Sequence, residues 1–258
     1  MKQYEQWIVM TDFQTPYHDT ASLRAVEAYM ADEKWDGYIN LGDFLDFNEL
    51  SSWNEDAPRR VIEKTAQTFK IGNEILDRHQ KLIRAKNKDA IMVLLEGNHE
   101  YRTEVYMDKH PELEGTLEVE IGLRLKERKI TWVPYWSTGK LFKKGNAYFA
   151  HGKFTNKNHA FNTVDRYGVC IYYGHTHDVQ EFPKVVYGKD KTLVGKSLGC
   201  LCRYDQRYLK GNPTNWQQAF AVFRFFPDGY YTENTIRIFK NRFVGLNGKV
   251  YDGKKTNL

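Results

Sequence analysis

Short apolar runs that each end in a polar residue constrain the fold of this chain more than any other feature of its sequence. The first three runs precede a carboxylate or an amide: Trp7–Met10 comes before Asp12, Tyr38–Leu41 before Asp43, and Ile91–Leu95 before Asn98. Two stretches with helical spacing, Ala21–Ala31 and Arg60–Lys86, lie between these runs. The alternation of strand and helix predicts right-handed crossovers and a largely parallel sheet.

The pattern changes after residue 100. Two stretches with helical spacing, Arg102–Lys109 and Pro111–Lys129, are candidates for a cap over residues 100–130. Short β-type runs then follow at Ile130–Tyr135, Ala147–Ala150, Val169–Tyr173, Glu181–Tyr187, Thr192–Leu198 and Phe220–Phe226. The turn Pro227-Asp228-Gly229 predicts a hairpin into Tyr230–Phe239. We therefore predict one α/β domain over residues 1–258, with two mixed β-sheets packed face to face, helices outside them, and a β-rich part over residues 198–258.

The composition is that of a globular protein with its own core. The 258 residues are 41% apolar and 28% charged, which is ordinary for a soluble domain. The odd number of cysteines, Cys170, Cys200 and Cys202, argues against a disulfide framework and for a reducing compartment. Cys200 and Cys202 lack the spacing of a zinc knuckle, and we expect them to pack in the core. Because the N-terminal segment is too polar for a signal peptide, a cytoplasmic location is expected.

The charge is unevenly distributed along the chain. The net charge is +5, but residues 151–258 carry 17 Lys and Arg against 8 Asp and Glu, whereas the first 150 residues carry 21 against 25. A basic C-terminal half predicts an anionic partner. A solvated basic surface without a partner explains the same numbers equally well.

The polar residues that follow the apolar runs are the candidates for chemistry. They are Asp12, Asp43, Asn98, His151, His175 and His177. The carboxyl ends of strands in an open α/β sheet form a ligand crevice, so these side chains are expected to meet there. Carboxylate, amide and imidazole groups together suit a hard-to-borderline metal ion. Ending a strand explains any one of these residues, but it does not explain the whole set.

Five ordered motifs carry a resemblance to a known family. They are Asp12-Phe13-Gln14, Gly42-Asp43-Phe44-Leu45-Asp46, Gly97-Asn98-His99-Glu100, His151 and Gly174-His175-Thr176-His177. Over residues 12–177 the chain resembles the calcineurin-like metallophosphoesterase superfamily, which has a four-layer α/β/β/α fold. Its tail, at residues 198–201 and 215–220, resembles a branch found in phage and prophage genomes. A bacterial or phage-infected host cell is the location that this resemblance implies.

The resemblance implies a site with two divalent ions and a water that they activate. Asp43 would bridge the ions, Asp12 and His177 would bind the first, and Asn98, His151 and His175 would bind the second. His99 would stabilise the transition state or protonate the leaving group, and Asp46 would orient it. Mn²⁺ is the expected ion, with Mg²⁺, Ni²⁺, Zn²⁺ or Fe as alternatives.

Gln14 departs from the family pattern, which has a histidine at this position. An amide oxygen is a poorer ligand than imidazole for borderline ions. Gln14 either binds the first ion in a weaker and harder site suited to Mn²⁺ or Mg²⁺, or hydrogen-bonds a water while that ion exchanges easily. We expect the activity to be retained, because every other ligand position is kept.

Other candidates have structural explanations of similar weight. Arg102 would contact the phosphate, or pair with Glu49 or Glu104. His18 would line the substrate cleft, although capping of a helix by Asp19 or Thr20 explains that segment almost as well. His159 is expected at the surface. Stacking surfaces for nucleobases are another role for large aromatic side chains, although core packing is the commoner one; the candidates are Trp53, Trp136, Tyr204 and Trp216.

The predicted function is hydrolysis of phosphoesters, with phosphodiesters of nucleotides or nucleic acid favoured. The basic C-terminal half, the aromatic content and the phage-type resemblance support this substrate class. A phosphomonoesterase that acts on phosphoprotein or small phosphate esters is the alternative enzyme. A catalytically inactive scaffold with the same fold is the alternative outside enzymes. No membrane partner is expected.

Overall fold

A computed structural model describes residues 3–51, 58–188, 191–206 and 209–255. Trp53 lies outside the described residues. The helices are α1 (Thr20–Asp32), α2 (Pro58–Arg84), α3 (Arg102–Met107), α4 (Val119–Gly122), α5 (Tyr135–Thr138) and α6 (His159–Tyr167), with 3-10 turns at Asn48–Leu50 and Pro111–Leu113. None of the helices in these ranges combines the length and the apolar content needed to cross a bilayer.

The first sheet contains the three strands predicted at the start of the chain. In spatial order its six strands are β11 (Tyr231–Arg237), β10 (Ala219–Phe225), β1 (Glu5–Met10), β2 (Gly37–Asn40), β3 (Ile91–Leu95) and β4 (Ile130–Val133). Strands β1 to β4 are parallel, whereas β10 pairs antiparallel with β1 and with β11. The predicted Pro227-Asp228-Gly229 hairpin is confirmed by the β10–β11 pairing.

The second sheet comes from the middle of the chain. Its spatial order is β5 (Phe142–Lys144), β6 (Ala147–Phe149), β7 (Cys170–Tyr173), β9 (Lys191–Ser197) and β8 (Glu181–Val186). Strands β6, β7 and β9 are parallel to one another, and the outer pairs are antiparallel. A separate small hairpin joins β12 (Arg242–Val244) to β13 (Val250–Asp252).

Side chains that alternate between the two faces of the buried strands form two hydrophobic cores. Ile8 and Met10 of β1 pack with α1 and α2 in one cluster, whereas Trp7 and Val9 pack against the second sheet in another. Successive side chains of a strand point to opposite faces, so one apolar run serves both layers. Helix α6 covers the far face of the second sheet, where a Cβ at Gly195 would lie 2.4 Å from the Ala160 carbonyl oxygen. The predicted layering of two face-packed mixed sheets between helices is confirmed.

The prediction of one helix from Pro111 to Lys129 is wrong. The segment holds a 3-10 turn, the four-residue α4 and a run of turns. Arg124 and Lys129 adopt positive φ angles of 50° and 53°, which end a right-handed helix locally. Helix α6, with nine residues, and strand β5, with three, were missed because they are short.

Candidate metal centre

The register of the parallel strands brings the predicted ligands to one edge of the molecule. Met10 pairs with Asn40, and Asn40 pairs with Leu94, so β1, β2 and β3 end level with one another. In the second sheet Phe149 pairs with Tyr172, and His151 and His175 follow these strands. Hydrogen bonds join the two sets of strand ends: the His175 amide donates to Asp12 Oδ2 at 2.9 Å.

Several of these residues adopt a backbone conformation that is rare outside glycine. The φ angles are positive at Asp12 (51°), Gln14 (49°), Asp43 (48°), His175 (70°) and His177 (60°). Strained conformations of this kind cost of order 1–3 kcal/mol each and concentrate at functional sites. The surrounding fold therefore holds these five side chains in place against local preference.

Glycines make the close approach of the strand ends sterically feasible. A Cβ at Gly97 would lie 2.1 Å from Asp43 Oδ1, and Gly42, at φ 104°, would place one 2.7 Å from the Gly97 nitrogen. No side chain fits at either position. Both glycines belong to motifs singled out in the sequence.

Two groups of ligand atoms share Asp43. One consists of Asp12, Asp43 and His177, the other of Asp43, His151 and His175, and the ligand atoms within each group lie within 4.8 Å of one another. Asn98 joins the second group, since its Oδ1 lies 3.0 Å from His151 Nε2. The family resemblance implies the same division into two sets.

The donor atoms fit divalent cations. Asp12 Oδ1 is buried, and within the described part of the chain it has no hydrogen-bond donor, although His177 Nε2 lies 3.0 Å away. His151 Nδ1 lies 3.0 Å from the Leu41 carbonyl oxygen, which fixes the proton on Nδ1 and leaves the Nε2 lone pair facing Asp43 and Asn98. An orphaned carboxylate oxygen and an oriented imidazole are the features that a bound cation would satisfy.

The electrostatics of the site favour positive charge beside the carboxylates. Burial opposes ionisation of Asp43, but the charges of His151 and His99 outweigh it and hold its pKa well below the usual value. Burial likewise opposes protonation of the histidines, yet Asp43 raises the pKa of His151 to about 9 and Asp12 raises that of His177 to about 9. Burial and the neighbouring His151 lower the pKa of His175 to about 4.

Gln14 lies inside the first group. Its Nε2 is 3.2 Å from His177 Nε2, the same nitrogen that faces Asp12. Gln14 Oε1 is buried and has no hydrogen-bond donor among the described residues. Its side chain therefore lies beside the ligand atoms of the first group.

His99 is held beside the two groups by Asp46. Its Nδ1 lies 3.0 Å from Asp46 Oδ1 and 2.9 Å from the Asp46 carbonyl oxygen. Burial opposes protonation of His99, but the charges of Asp43 and Asp46 outweigh it and raise its pKa. Arg102 Nη2 lies 3.1 Å from His99 Nε2, and Arg102 Nη1 donates to the Asp46 carbonyl. These contacts place Arg102 at the site, beside the imidazole nitrogen that faces Asp43.

Glu100 supports the loops that carry these residues. Its carboxylate accepts hydrogen bonds from the backbone amides of Asp43 and Gly97 through Oε2, and from Leu45 through Oε1. Burial and the charge of Asp43 raise its pKa to about 7. The sequence predicted no role for Glu100, although its position directly after His99 was a signal for one.

His159 is buried, not exposed, and the prediction of a surface position is wrong. It is 3% exposed, with Nδ1 2.7 Å from the Tyr173 hydroxyl and Nε2 3.1 Å from Asp178 Oδ2. Asp178 directly follows His177. The first turn of α6 thus braces the loop that carries two predicted ligands. The contact joins residues 19 positions apart, which no local pattern around His159 records.

His18 belongs to neither ligand group, although it forms an isolated β-bridge with Cys202, which adjoins His177. Burial lowers its pKa to about 4, and its charged neighbours include Arg78 of α2 and Glu27 of α1. Asp19 caps α1 by accepting from the Ser22 amide at 2.8 Å, as the structural alternative predicted. The substrate role of His18 stays a prediction.

Cys200 and Cys202 are buried, as expected, and they also adjoin the first group. With His177 they form a third cluster of potential ligand atoms. Cys202 Sγ lies 3.9 Å from His177 Nδ1, on the side of the ring opposite Asp12. The two thiols thus pack behind the imidazole.

The chain brings five strand ends of two mixed sheets to paired ligand groups around Asp43, with His99 and Asp46 beside them. No protein-family profile matches it. The chain is similar to the Gene 54 protein of Mycobacterium phage L5, with 25% identity over 260 residues that cover 95% of this chain and 98% of the phage protein.

The chain is also similar, at low sequence identity, to solved structures. Vacuolar Protein Sorting 29 from Cryptosporidium parvum is 12% identical with a TM-score of 0.45, and the match covers 93% of this chain and 100% of that one. Nuclease MPE from Pseudomonas putida is 14% identical with a TM-score of 0.33, over 88% of this chain and 87% of that one.

Proposed function

We propose that this protein is a phosphoester hydrolase that depends on two divalent metal ions and acts on phosphodiesters of nucleotides or nucleic acid. The observation that carries the proposal is the pair of ligand groups joined by Asp43. Asp12, Gln14, Asp43 and His177 would hold one ion, and Asp43, Asn98, His151 and His175 the other. Bound ions of this kind supply Lewis acidity, which neutralises phosphoryl charge and activates water.

The protein's own contribution to the reaction is proton transfer and positioning. Hydrolysis adds water to phosphorus and releases an alcohol, whose oxygen must gain a proton. His99 is the acid for this step, since its pKa is raised and its Nε2 points into the site, 3.7 Å from Asp43 Oδ2. Asp46 holds the ring, and Arg102 offers its guanidinium to a phosphoryl oxygen.

The charge distribution favours a nucleic-acid or nucleotide diester. The C-terminal half carries the excess of basic residues and contributes His151, His175 and His177 to the site. A polyanionic substrate is attracted to such a half. A monoester would need cationic groups around its three terminal oxygens.

The test is hydrolysis of bis-p-nitrophenyl phosphate and p-nitrophenyl phosphate by chelator-treated protein to which Mn²⁺, Mg²⁺, Ni²⁺ or Zn²⁺ is restored. We expect metal-dependent turnover with preference for the diester. Asp43→Asn should abolish turnover and lower the metal content of both groups, because this carboxylate belongs to both. Retained activity in Asp43→Asn would overturn the assignment.

The same assay separates the two alternatives. Preference for the monoester would indicate a phosphomonoesterase. An inactive scaffold would show no turnover with any ion, and its binding properties would be indifferent to His99→Ala. An enzyme loses turnover in that variant while it keeps its metal ions.

A further inference from the structure

A cavity of about 450 Å3 lies next to the first ligand group, and its walls include Tyr204, Trp216, Arg237, Phe239 and Lys240. Trp216 connects the cavity to the site, since its ring packs edge-on against the His177 ring with centroids 4.3 Å apart. The Gln217 amide also donates to the His177 carbonyl oxygen at 2.7 Å. The volume is in the range of small-ligand pockets.

The strand register places this cavity at the same edge of the first sheet as the ligands. Strand β10 is antiparallel to β1, with Val9 opposite Ala221, so Ala219 lies beyond the carboxyl end of β1. Arg237 at the end of β11 is opposite Ala219. Two strand spacings, roughly 10 Å, therefore separate Arg237 from β1. A nucleotide whose phosphate lies at the ligand groups could reach the cavity with its base.

A rigid turn presents Phe239 and Lys240. Phe239 and Arg242 exchange two backbone hydrogen bonds, and the residues between them, Lys240 and Asn241, have φ angles of 51° and 65°. This is the geometry of a two-residue type I′ hairpin. Asn241 Nδ2 donates to Asp19 Oδ1 at 2.9 Å, which ties the turn to the start of α1. Phe239 is nevertheless 67% exposed, so its ring is held in place with most of its surface open.

The charges around the cavity suit a phosphodiester chain. Arg237 and Lys240 are exposed, and neither pairs with a carboxylate within the described part of the chain. The acidic wall residue, Asp19, is engaged by the Ser22 amide and by Asn241. A second cavity of about 760 Å3 shares Arg237 and Phe239 with the first. Together the two cavities form a groove that is longer than one nucleotide.

We infer that this groove is a binding site for single-stranded nucleic acid, in which Phe239 and Tyr204 stack on bases that flank the phosphate at the ligand groups and Arg237 and Lys240 contact the backbone. The inference rests on the proposed function and specifies its substrate. Aromatic platforms combined with basic side chains bind single strands in this way with little sequence preference.

Binding to chelator-treated full-length protein tests the groove without any turnover. The probes are a short fluorescein-labelled oligothymidylate and an abasic oligomer of the same length, followed by fluorescence anisotropy. Phe239→Ala should bind the oligothymidylate roughly tenfold more weakly, the usual loss for one stacked base, and bind the abasic oligomer unchanged. Lys240→Ala should weaken binding of both probes and reduce the salt dependence. Tyr230→Ala, at the opposite end of the β10–β11 hairpin and 69% exposed, is the matched control and should bind like the wild type.

The outcomes distinguish a failure of the proposed groove from a failure of the proposed reaction. The proposed groove is contradicted if the wild-type protein does not bind the oligothymidylate. It is also contradicted if Phe239→Ala binds this probe as tightly as Tyr230→Ala does. All three variants should retain wild-type turnover of bis-p-nitrophenyl phosphate, which has no base to stack. If the wild type lacks that turnover but shows binding that depends on bases and on Phe239, the groove is supported and only the proposed reaction fails.

Discussion

At the scale of single residues, His99 depends on Asp46 for its orientation, because two Asp46 oxygens lie within 3.0 Å of His99 Nδ1. Asp46→Asn keeps the volume and removes the charge. We expect kcat to fall roughly 10–100-fold, as on loss of other carboxylate partners of active-site histidines. Steady-state kinetics checks this, and metal content should stay unchanged. Loss of metal in Asp46→Asn would show that Asp46 acts on the ligands instead.

Gln14 is the one candidate ligand position at which the chain departs from the pattern of the family that it resembles. Imidazole is a better ligand than an amide for borderline ions, and the side chain of Gln14 already reaches His177 Nε2. We expect Gln14→His to bind the first ion more tightly and Gln14→Ala to bind it more weakly, as measured by metal titration. Titrations of the two variants that superimpose on the wild type would show that Gln14 is no ligand.

At the scale of elements, the loops after β2 and β3 depend on the Glu100 carboxylate. Glutamine offers one acceptor oxygen, so Glu100→Gln would leave the Leu45 amide or the Asp43 and Gly97 amides without an acceptor. A buried unsatisfied donor costs about 1–3 kcal/mol. We expect a lower free energy of unfolding in denaturant titrations. Glu112→Gln, on the exposed 3-10 turn, should leave it unchanged, and equal values for the two variants would contradict this role of Glu100.

The segment from Pro111 to Lys129 shows how far local pattern can predict an element. Apolar residues recur there at helical spacing, yet Gly122 packs so closely on α2 that a Cβ would lie 2.3 Å from the Phe69 ring. The positive φ angles of Arg124 and Lys129 then interrupt the helix that this spacing predicts. The long amphipathic α2 was predicted well because its periodicity extends over many turns.

At the scale of the whole molecule, the ligand groups join the two sheets. Asp12, Asp43 and Asn98 follow strands of the first sheet, and His151 and His175 follow strands of the second. A divalent ion that binds only the folded state at 100 times its Kd adds about 2.7 kcal/mol of stability. For a chain of this size the Tm should rise by roughly 5–10 °C. Differential scanning fluorimetry with chelator and with Mn²⁺ measures it, and Asp43→Asn should show a much smaller rise.

This stabilisation should depend on pH. The pKa values of His151 and His177 are about 9, so protons compete with metal ions for these two side chains below that pH. The rise in Tm at a fixed, subsaturating Mn²⁺ concentration should therefore increase between pH 7 and pH 9. A rise that is constant over this range would show that neither histidine loses a proton on binding.

The amino-acid sequence alone determined the identity of the ligand candidates and the layering of the fold. Apolar runs specify buried strands, and parallel strands end at one edge, so the polar residues after them must converge. The division of these residues around Asp43 is implied by the family resemblance that the five ordered motifs carry.

Only the tertiary structure decided what approaches these residues from distant parts of the chain. The burial of His159 against Asp178, the place of Gln14 beside His177, and the meeting of Trp216 with Phe239 at one cavity all depend on packing between elements. A single sequence records local periodicity and short motifs. It does not record which side chains far apart along the chain become neighbours, because contacts between layers are set by the packing of whole sheets and helices.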